Sequence, residues 1–217
     1  FSNPTSTNPT FIADLAGVYS ASLVVSDGTV TSAADSVTVT AHREVSLLNF
    51  GIIDAEYSKQ LDKVIMVSSA PSNRLHIYDP LTGLDAAVDL NLAPTSVSVG
   101  PDGLYAAVGH NGWISYVNLS TAATVTAIAT TADVLDVVLA GNGYIYAFPK
   151  TDQWETIRCI NISTGAETQH TGASIYAGTK AKLQPGGTAI YGANNGLSPS
   201  DIEKYNISGG TADYLYD

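Results

Sequence analysis

The chain has 217 residues, a formal net charge of −11 and a single cysteine. That length suffices for a buried core, in one large domain or two smaller ones. An acidic chain whose Lys and Arg are scattered singly is a poor candidate for binding nucleic acid or an anionic membrane. No apolar run approaches the ~18 residues of a membrane span. The lone Cys159 excludes a disulfide-rich secreted scaffold and is expected to be a small buried hydrophobe.

The composition predicts an all-β protein. Charged residues make up only 13% of the chain, and Tyr, Val, Thr, Ser, Ala and Gly carry much of the rest. No apolar period of 3.6 residues is long enough to predict a helix. Phe1 opens directly onto SNPTSTNPT, which lacks the form of a signal peptide.

The first forty-odd residues predict the closing strands of a small antiparallel sandwich. Apolar and polar residues alternate through GVYSASLVV from Gly17 and again through SVTVT from Ser36. Asp27-Gly28 lies between the two runs and is a strong hairpin signal. The apolar pattern breaks at His42, so we place the first domain at 1–42 and the second at 43–217.

The run from Asn8 to Thr40, which contains NPTF and AGVYSASLVVSDG, resembles the second half of a polycystic-kidney-disease (PKD) type, immunoglobulin-like domain. The resemblance implies that Tyr19, Val24 and Val25 occupy core strand positions. The family's tryptophan-bearing first half is absent. Either the chain is a fragment of a longer protein, or another segment covers the apolar face of these strands.

One phrase occurs four times in the rest of the chain. Its copies are LHIYDPLTG, ISYVNLSTA, IRCINISTG and IEKYNISGG, and their equivalent turn residues are Asp79, Asn118, Asn161 and Asn206. These turn residues recur 39 to 45 residues apart, and a second set of tight turns near residues 62, 103, 143 and 187 keeps the same period. Two markers that share a period indicate an internal repeat.

Each repeat predicts four short antiparallel strands, which is the signature of a β-propeller blade. The predicted units are about 46–92, 93–131, 132–173 and 174–217. One twisted sheet has two apolar faces, and packing blades around an axis buries both. A closed four-bladed ring and part of a seven- or eight-bladed ring both fit four visible units, and we favour the larger ring.

The phrases VSVGPDGLYAAVG from Val97 and IYDPLTG from Ile77 resemble the YVTN-type and broader WD-repeat-like propellers of bacterial surface proteins, although the Trp-Asp dipeptide is missing. The resemblance implies an extracellular or cell-surface protein that binds or displays without chemistry of its own. The expected partner is a protein or glycan on a cell surface or matrix. Other copies of the chain, or the missing part of the same protein, are further candidates.

Functional residues of propellers sit mainly on loops between the second and third strands of a blade, here 70–74, 110–113, 149–155 and 194–201. Two of these loops carry the tryptophans of the chain. We therefore predict a ligand-binding face made of Trp113, Asn111, His110, Asp152, Trp154, Glu155 and Asn195. The alternative is that each tryptophan caps the gap between neighbouring blades.

No catalytic or metal site is predicted. The four histidines occupy unrelated places in the repeat, which favours surface or loop histidines over zinc ligands. Calcium needs six to eight converging oxygens, and DPLTGLD offers only Asp79, Asp85 and carbonyl groups. No cofactor is therefore expected, and a calcium ion at this turn is the alternative. Three repeat turns fit the N-glycosylation pattern, and the turn geometry itself explains their Asn and Ser.

The most consistent function is therefore adhesive or structural recognition by a non-enzymatic module. One alternative is a propeller enzyme, a lyase, hydrolase or dehydrogenase whose site lies mostly outside this piece. Another is a subunit of an extracellular filament or sheath.

Overall fold

The protein is described by a computed structural model that covers residues 2–3, 5–42, 47–150, 154–170, 172, 174–194 and 196–216. The chain divides into two compact units, residues 1–48 and 49–217. The described residues form strands, turns and irregular segments, with no helix among them. The predicted all-β class is therefore confirmed, and no described segment is a helix that could cross a membrane.

The first unit contains one antiparallel pair, β1 (Gly17–Leu23) and β2 (Asp35–Ala41). Between them the Asp27 carboxylate accepts the N–H groups of Thr29 and Val30, both at 2.8 Å. These two hydrogen bonds lower the pKa of Asp27. An isolated bridge joins residues 26 and 31 around the turn, which confirms the predicted hairpin at Asp27-Gly28.

The apolar face of this first unit is not covered within the unit. On the face that carries Tyr19, the exposed apolar side chains include Leu23, Val37 and Val39, and Val18 is exposed on the opposite face. Tyr19 is half-buried, and its hydroxyl accepts the Leu15 N–H at 3.1 Å and donates to the Leu15 carbonyl at 2.9 Å. Val24 and Val25, which the family resemblance placed in the core, lie beyond the end of β1 and are exposed.

The second unit contains the repeated strands. In chain order they are β3 (Ile52–Ser58), β4 (Lys63–Ser68), β5 (Arg74–Tyr78), β6 (Asp85–Asp89), β7 (Ser96–Val99), β8 (Tyr105–Asn118), β9 (Ala123–Leu139), β10 (Tyr144–Pro149), β11 (Trp154–Glu155), β12 (Arg158–Asn161), β13 (Glu167–Gln169), β14 (Ile175–Tyr176), β15 (Lys180–Leu183), β16 (Ala189–Ala193), β17 (Ile202–Asn206) and β18 (Asp213–Tyr216).

These strands form four successive four-stranded units, which we call blades 1 to 4. Blade 1 is the sheet β3-β4-β5-β6, and blade 4 is the sheet β15-β16-β17-β18. Blades 2 and 3 share a six-stranded sheet in the order β13-β12-β10-β9-β8-β7, because β8 and β9 are long. The first part of β9 pairs with β8 in blade 2, and its last part pairs with β10 in blade 3. A short ribbon, β11 with β14, stands outside this sheet.

β8 holds two blade strands joined by a tight turn. The Leu119 N–H donates to the Leu104 carbonyl at 2.9 Å, so the segments on either side of Asn111-Gly112 run back along each other. Gly112 has φ of +73°, a left-handed conformation that glycine adopts without strain. The segment 110–113, which the sequence predicts to be a loop, is therefore a tight turn inside β8.

Three hydrophobic clusters lie between successive blades. The first joins blades 1 and 2, and it contains Ile65 and Leu75 from blade 1 together with Val97 and Val108 from blade 2. The second joins blades 2 and 3, and the third joins blades 3 and 4. In β8, Ala106 and Val108 belong to the first cluster while Ala107 belongs to the second. Alternate side chains of one strand thus bury both faces of the sheet, as a propeller blade requires.

The first strands of neighbouring blades are also connected by side chains that satisfy backbone groups. Asp54 accepts the Val97 N–H at 2.9 Å, and Glu56 accepts the Val99 N–H at 2.7 Å, which connects blades 1 and 2. The Leu139 N–H donates to the Ser98 hydroxyl at 3.1 Å, which connects blades 2 and 3. In the same way Asp136 accepts the Ala181 N–H at 2.9 Å and connects blades 3 and 4.

The repeated turn residues have one shared role. Asp79, Asn118, Asn161 and Asn206 each accept the N–H two positions ahead through the side-chain oxygen, at 2.8 to 3.1 Å. Asx turns of this kind explain why Asp or Asn recurs at this place. The Lys63 ammonium and the N–H groups of the turn hold the pKa of Asp79 well below its usual range.

Candidate functional site

Trp113 lies just after the tight turn of blade 2. It sits opposite Ala129 in the ladder, next to a bulge between Asn111 and Trp113. The indole is 43% exposed, and the neighbouring Asn111 is exposed as well. The position thus offers an aromatic surface and an amide to the solvent at the end of the blade.

Trp154 occupies the corresponding place in blade 3, on the short ribbon. It pairs with Tyr176, and the two rings meet edge to face with centroids 5.2 Å apart. The indole is 59% exposed. Both tryptophans belong to connections between the second and third strands, so they lie at the same end of their blades. No ring contact joins Trp113 to Trp154 directly among the residues that the structure describes.

Of the other side chains predicted for this face, Glu155 already makes hydrogen bonds within the protein. The Glu155 carboxylate accepts hydrogen bonds from the Arg158 guanidinium at 3.0 Å and from the Thr156 N–H at 3.2 Å. Arg158 is buried and also donates to the Thr131 hydroxyl at 2.9 Å, so Glu155 belongs to a local polar network. Asp152 and Asn195 lie outside the described residues.

His110 is not part of an exposed face. Its side chain is buried, its Nδ1 lies 3.1 Å from the Ala93 carbonyl, and its Nε2 lies 3.0 Å from the Ser115 hydroxyl. Burial lowers the pKa of His110. Because both ring nitrogens are engaged inside the protein, His110 supports the blade instead of meeting a ligand.

The expectation of surface or loop histidines is wrong for three of the four. His76, His110 and His170 are all buried. His76 lies between the Ser68 hydroxyl at 2.9 Å and the Asp85 carboxylate at 2.7 Å, and the Phe50 ring stacks on it with centroids 3.7 Å apart. The alternating strand pattern around His76 carried this signal, since a polar side chain within an apolar strand is buried when partners satisfy it.

The turn carboxylates are occupied by protein donors. Asp79 accepts from Lys63 at 2.7 Å and from backbone N–H groups, and Asp85 pairs with His76. Within the described ranges no group of three or more His, Cys, Asp or Glu residues could hold a metal ion. Cys159 is buried as predicted, and burial raises the pKa of its thiol to about 11.

Comparison with known proteins gives information about the fold. No family model matches the chain, and no curated protein matches it. Among solved structures 737 chains match. One is hydrazine synthase of Kuenenia stuttgartiensis, with 15% sequence identity, a TM-score of 0.61 and coverage of 80% of this chain and 52% of that one.

The fold of this chain is of the β-propeller type. Hydrazine synthase contains a β-propeller, and the four blades with clusters between them fit that architecture. The chain spans about half the length of the solved chain that it matches. At this identity the likeness concerns the fold alone and carries nothing about chemistry.

Two surface features were not visible in the sequence. A cleft of about 400 Å³ opens between blades 2 and 3, lined by Tyr105, Tyr116 and Tyr144 among others. On blade 4, direct strand pairing aligns Lys182 with Tyr191, Tyr191 with Lys204 and Lys204 with Tyr216. The lysines that look scattered in the sequence thus share one sheet face, where the Lys204 ammonium lies 5.4 Å from the centre of the Tyr191 ring.

Proposed function

We propose that the chain is a non-enzymatic recognition module of an extracellular or cell-surface bacterial protein, and that its tryptophan-bearing end binds a protein or glycan. The observation that carries the proposal is the pair of exposed indoles, Trp113 and Trp154, at corresponding turns of neighbouring blades. Exposed tryptophan is uncommon on a surface without a partner, because the indole is large and apolar.

The described part of this end suits binding better than catalysis. Its accessible groups include the two indoles, the Tyr176 ring and the amide of Asn111. Of the two carboxylates predicted for this face, Glu155 is the one that the structure describes, and it is held by Arg158. Both tryptophans lie in paired strands, and a backbone fixed by pairing reduces the entropy lost on binding.

The remaining parts of the proposal concern context. The PKD-like first unit acts as a spacer, and its exposed apolar face is covered by another segment of a longer protein.

Separate Trp113→Ala and Trp154→Ala variants test the proposal. Binding is measured on an array of glycans and on bacterial cell-wall fractions, and folding is measured by thermal denaturation. We expect each variant to lose about tenfold in affinity while its melting temperature stays close to that of the wild type, since neither tryptophan belongs to the buried core.

Leu84→Ala is the matched control, because Leu84 is exposed on a turn of blade 1 at the opposite end. This variant is expected to bind as the wild type does. If the tryptophan variants unfold and their folded fraction binds with full affinity, the indoles are structural caps and the proposed face is wrong.

A further inference from the structure

The cleft between blades 2 and 3 lies at the end opposite the tryptophans. Its walls include the first-to-second strand turns of both blades, near residues 100–102 and 141–143, and the third-to-fourth strand turn of blade 3 at 161–163. Strands alternate in direction within a blade, so these turns and the tryptophan-bearing turns are at opposite ends. The two surfaces are therefore independent.

Three tyrosines give the cleft its aromatic walls. Tyr105 and Tyr116 stack with centroids 5.1 Å apart and ring planes 8° from parallel. Both are half-buried and pack on the cluster between blades 2 and 3. Tyr144 comes from blade 3 and lies against Gly210, where an added Cβ would fall 2.4 Å from the Tyr144 ring. Packing thus holds all three rings in place.

Within the described ranges the hydroxyl groups of these tyrosines have no protein partner. Among the described residues, none of the three makes a hydrogen bond to a protein group, whereas Tyr146 and Tyr205 do. A tyrosine hydroxyl both donates and accepts. A tyrosine hydroxyl is protonated at neutral pH, and burial raises the pKa of Tyr116 further.

The rim adds polar groups without positive charge. Asn161 uses its side-chain oxygen to accept the N–H groups of the repeat turn, and its side-chain amide also carries two N–H donors. Asp102 accepts the Leu104 N–H at 2.9 Å through one carboxylate oxygen, and its second carboxylate oxygen is a further acceptor. Among the residues that the structure describes, no Lys, Arg or His lines the cleft. An anionic ligand would therefore meet a carboxylate and no cation.

We propose that this cleft binds a neutral saccharide. Sugar rings present apolar C–H faces that stack on aromatic rings and hydroxyls that both donate and accept hydrogen bonds. Tyr105, Tyr116 and Tyr144 supply the ring faces and hydroxyls, and the rim at Asn161 and Asp102 supplies a donor and an acceptor. About 400 Å³ is in the range of small-molecule sites.

Isothermal titration calorimetry of the 217-residue chain with four neutral probes tests the proposal: cellohexaose, laminarihexaose, maltohexaose and chitohexaose. At least one probe is expected to bind. The double variant Tyr105→Phe with Tyr116→Phe keeps both rings and removes both hydroxyls, so it is expected to fold normally and weaken binding about tenfold or more.

Two controls separate this site from the tryptophan face. Tyr191→Phe removes a hydroxyl on blade 4, away from the cleft, and Trp113→Ala alters the opposite end. Both are expected to leave saccharide binding within about twofold. The proposal is overturned if no probe binds, or if the double variant binds as the wild type does. Loss of binding in Trp113→Ala alone would assign the saccharide to the tryptophan face and would equally overturn it.

Discussion

Lys182, on the first strand of blade 4, forms an ion pair with Glu56, on the first strand of blade 1. The two residues are 126 positions apart in the chain. Glu56 also accepts the Val99 N–H from blade 2, so one carboxylate contacts both a neighbouring blade and the last one. The hydrophobic clusters join blades 1 to 2, 2 to 3 and 3 to 4, and this pair adds a polar link between 4 and 1.

Removing Lys182 and removing Glu56 are expected to change the free energy of unfolding by different amounts. The Lys182 side chain is 68% exposed, so solvent screens the pair and Lys182→Met should change the free energy of unfolding by less than about 1 kcal/mol. Glu56→Leu also removes the acceptor of the Val99 N–H and should cost about 1–3 kcal/mol. Urea denaturation measures both, with the exposed Lys59→Met as control. Equal losses in the two variants would contradict this division.

Asp136 should make stability fall as pH rises. Burial raises the pKa of its carboxyl above the ordinary 3.8. Between the unfolded and the folded pKa, the folded state holds a proton that the unfolded state has lost, so raising the pH favours unfolding. The stability from this group is complete below the unfolded pKa and is lost as the pH rises through the folded pKa.

The Asp136→Asn variant tests this pH dependence, because it does not titrate and keeps one acceptor oxygen for the Val137 or the Ala181 N–H. Urea denaturation from pH 3.5 to 7 should show the wild type's advantage over the variant shrinking as the pH rises. An advantage that grows with pH would mean that the pKa of Asp136 is lowered in the folded protein.

His110 should have the opposite effect on the pH profile. Burial lowers its pKa below the ordinary 6.5, so below that pH the unfolded state takes up a proton that the folded state refuses. Stability should therefore fall as the pH drops from 7 through 6.5 and on towards the folded pKa. His110→Gln is expected to remove this component, while His42→Gln, at an exposed position in the first unit, should keep it. Denaturation midpoints between pH 5 and 7.5 measure this pH dependence. If the midpoint of His110→Gln changed with pH as steeply as that of the wild type, a group other than His110 would be responsible.

The contrast between predicted and observed features has a physical pattern. The repeat, its turns and the burial of Cys159 follow from local spacing, because turn geometry and strand alternation depend on near neighbours in sequence. The environments of His110 and Glu56 depend on residues 17 to 126 positions away in the chain. The cleft likewise requires two blades at their packed distance. Single-sequence patterns do not specify contacts of that kind, and they cannot distinguish a turn histidine in solvent from one that is buried against a distant part of the chain.

The packing between blades 2 and 3 gives the sharpest test of the architecture. Gly109 lies on β8, and a Cβ added there would fall 2.6 Å from Val134 Cγ1 and 2.8 Å from the Ser96 hydroxyl oxygen. Both distances are shorter than real Cβ contacts. Because the backbone of Gly109 is not left-handed, backbone strain would not contribute, and the steric clash would be the cause of any loss of stability. Gly109→Ala should therefore lower the free energy of unfolding by about 1–3 kcal/mol through overpacking.

Gly51→Ala is the matched control for this substitution. An added Cβ at Gly51 meets nothing within 4 Å, and its backbone is likewise not left-handed, so its stability should stay within about 0.5 kcal/mol of the wild type. Denaturation of both variants under one set of conditions gives the comparison. If Gly109→Ala were as stable as Gly51→Ala, blades 2 and 3 would not be packed as closely as described, and the cleft between them would lose its walls.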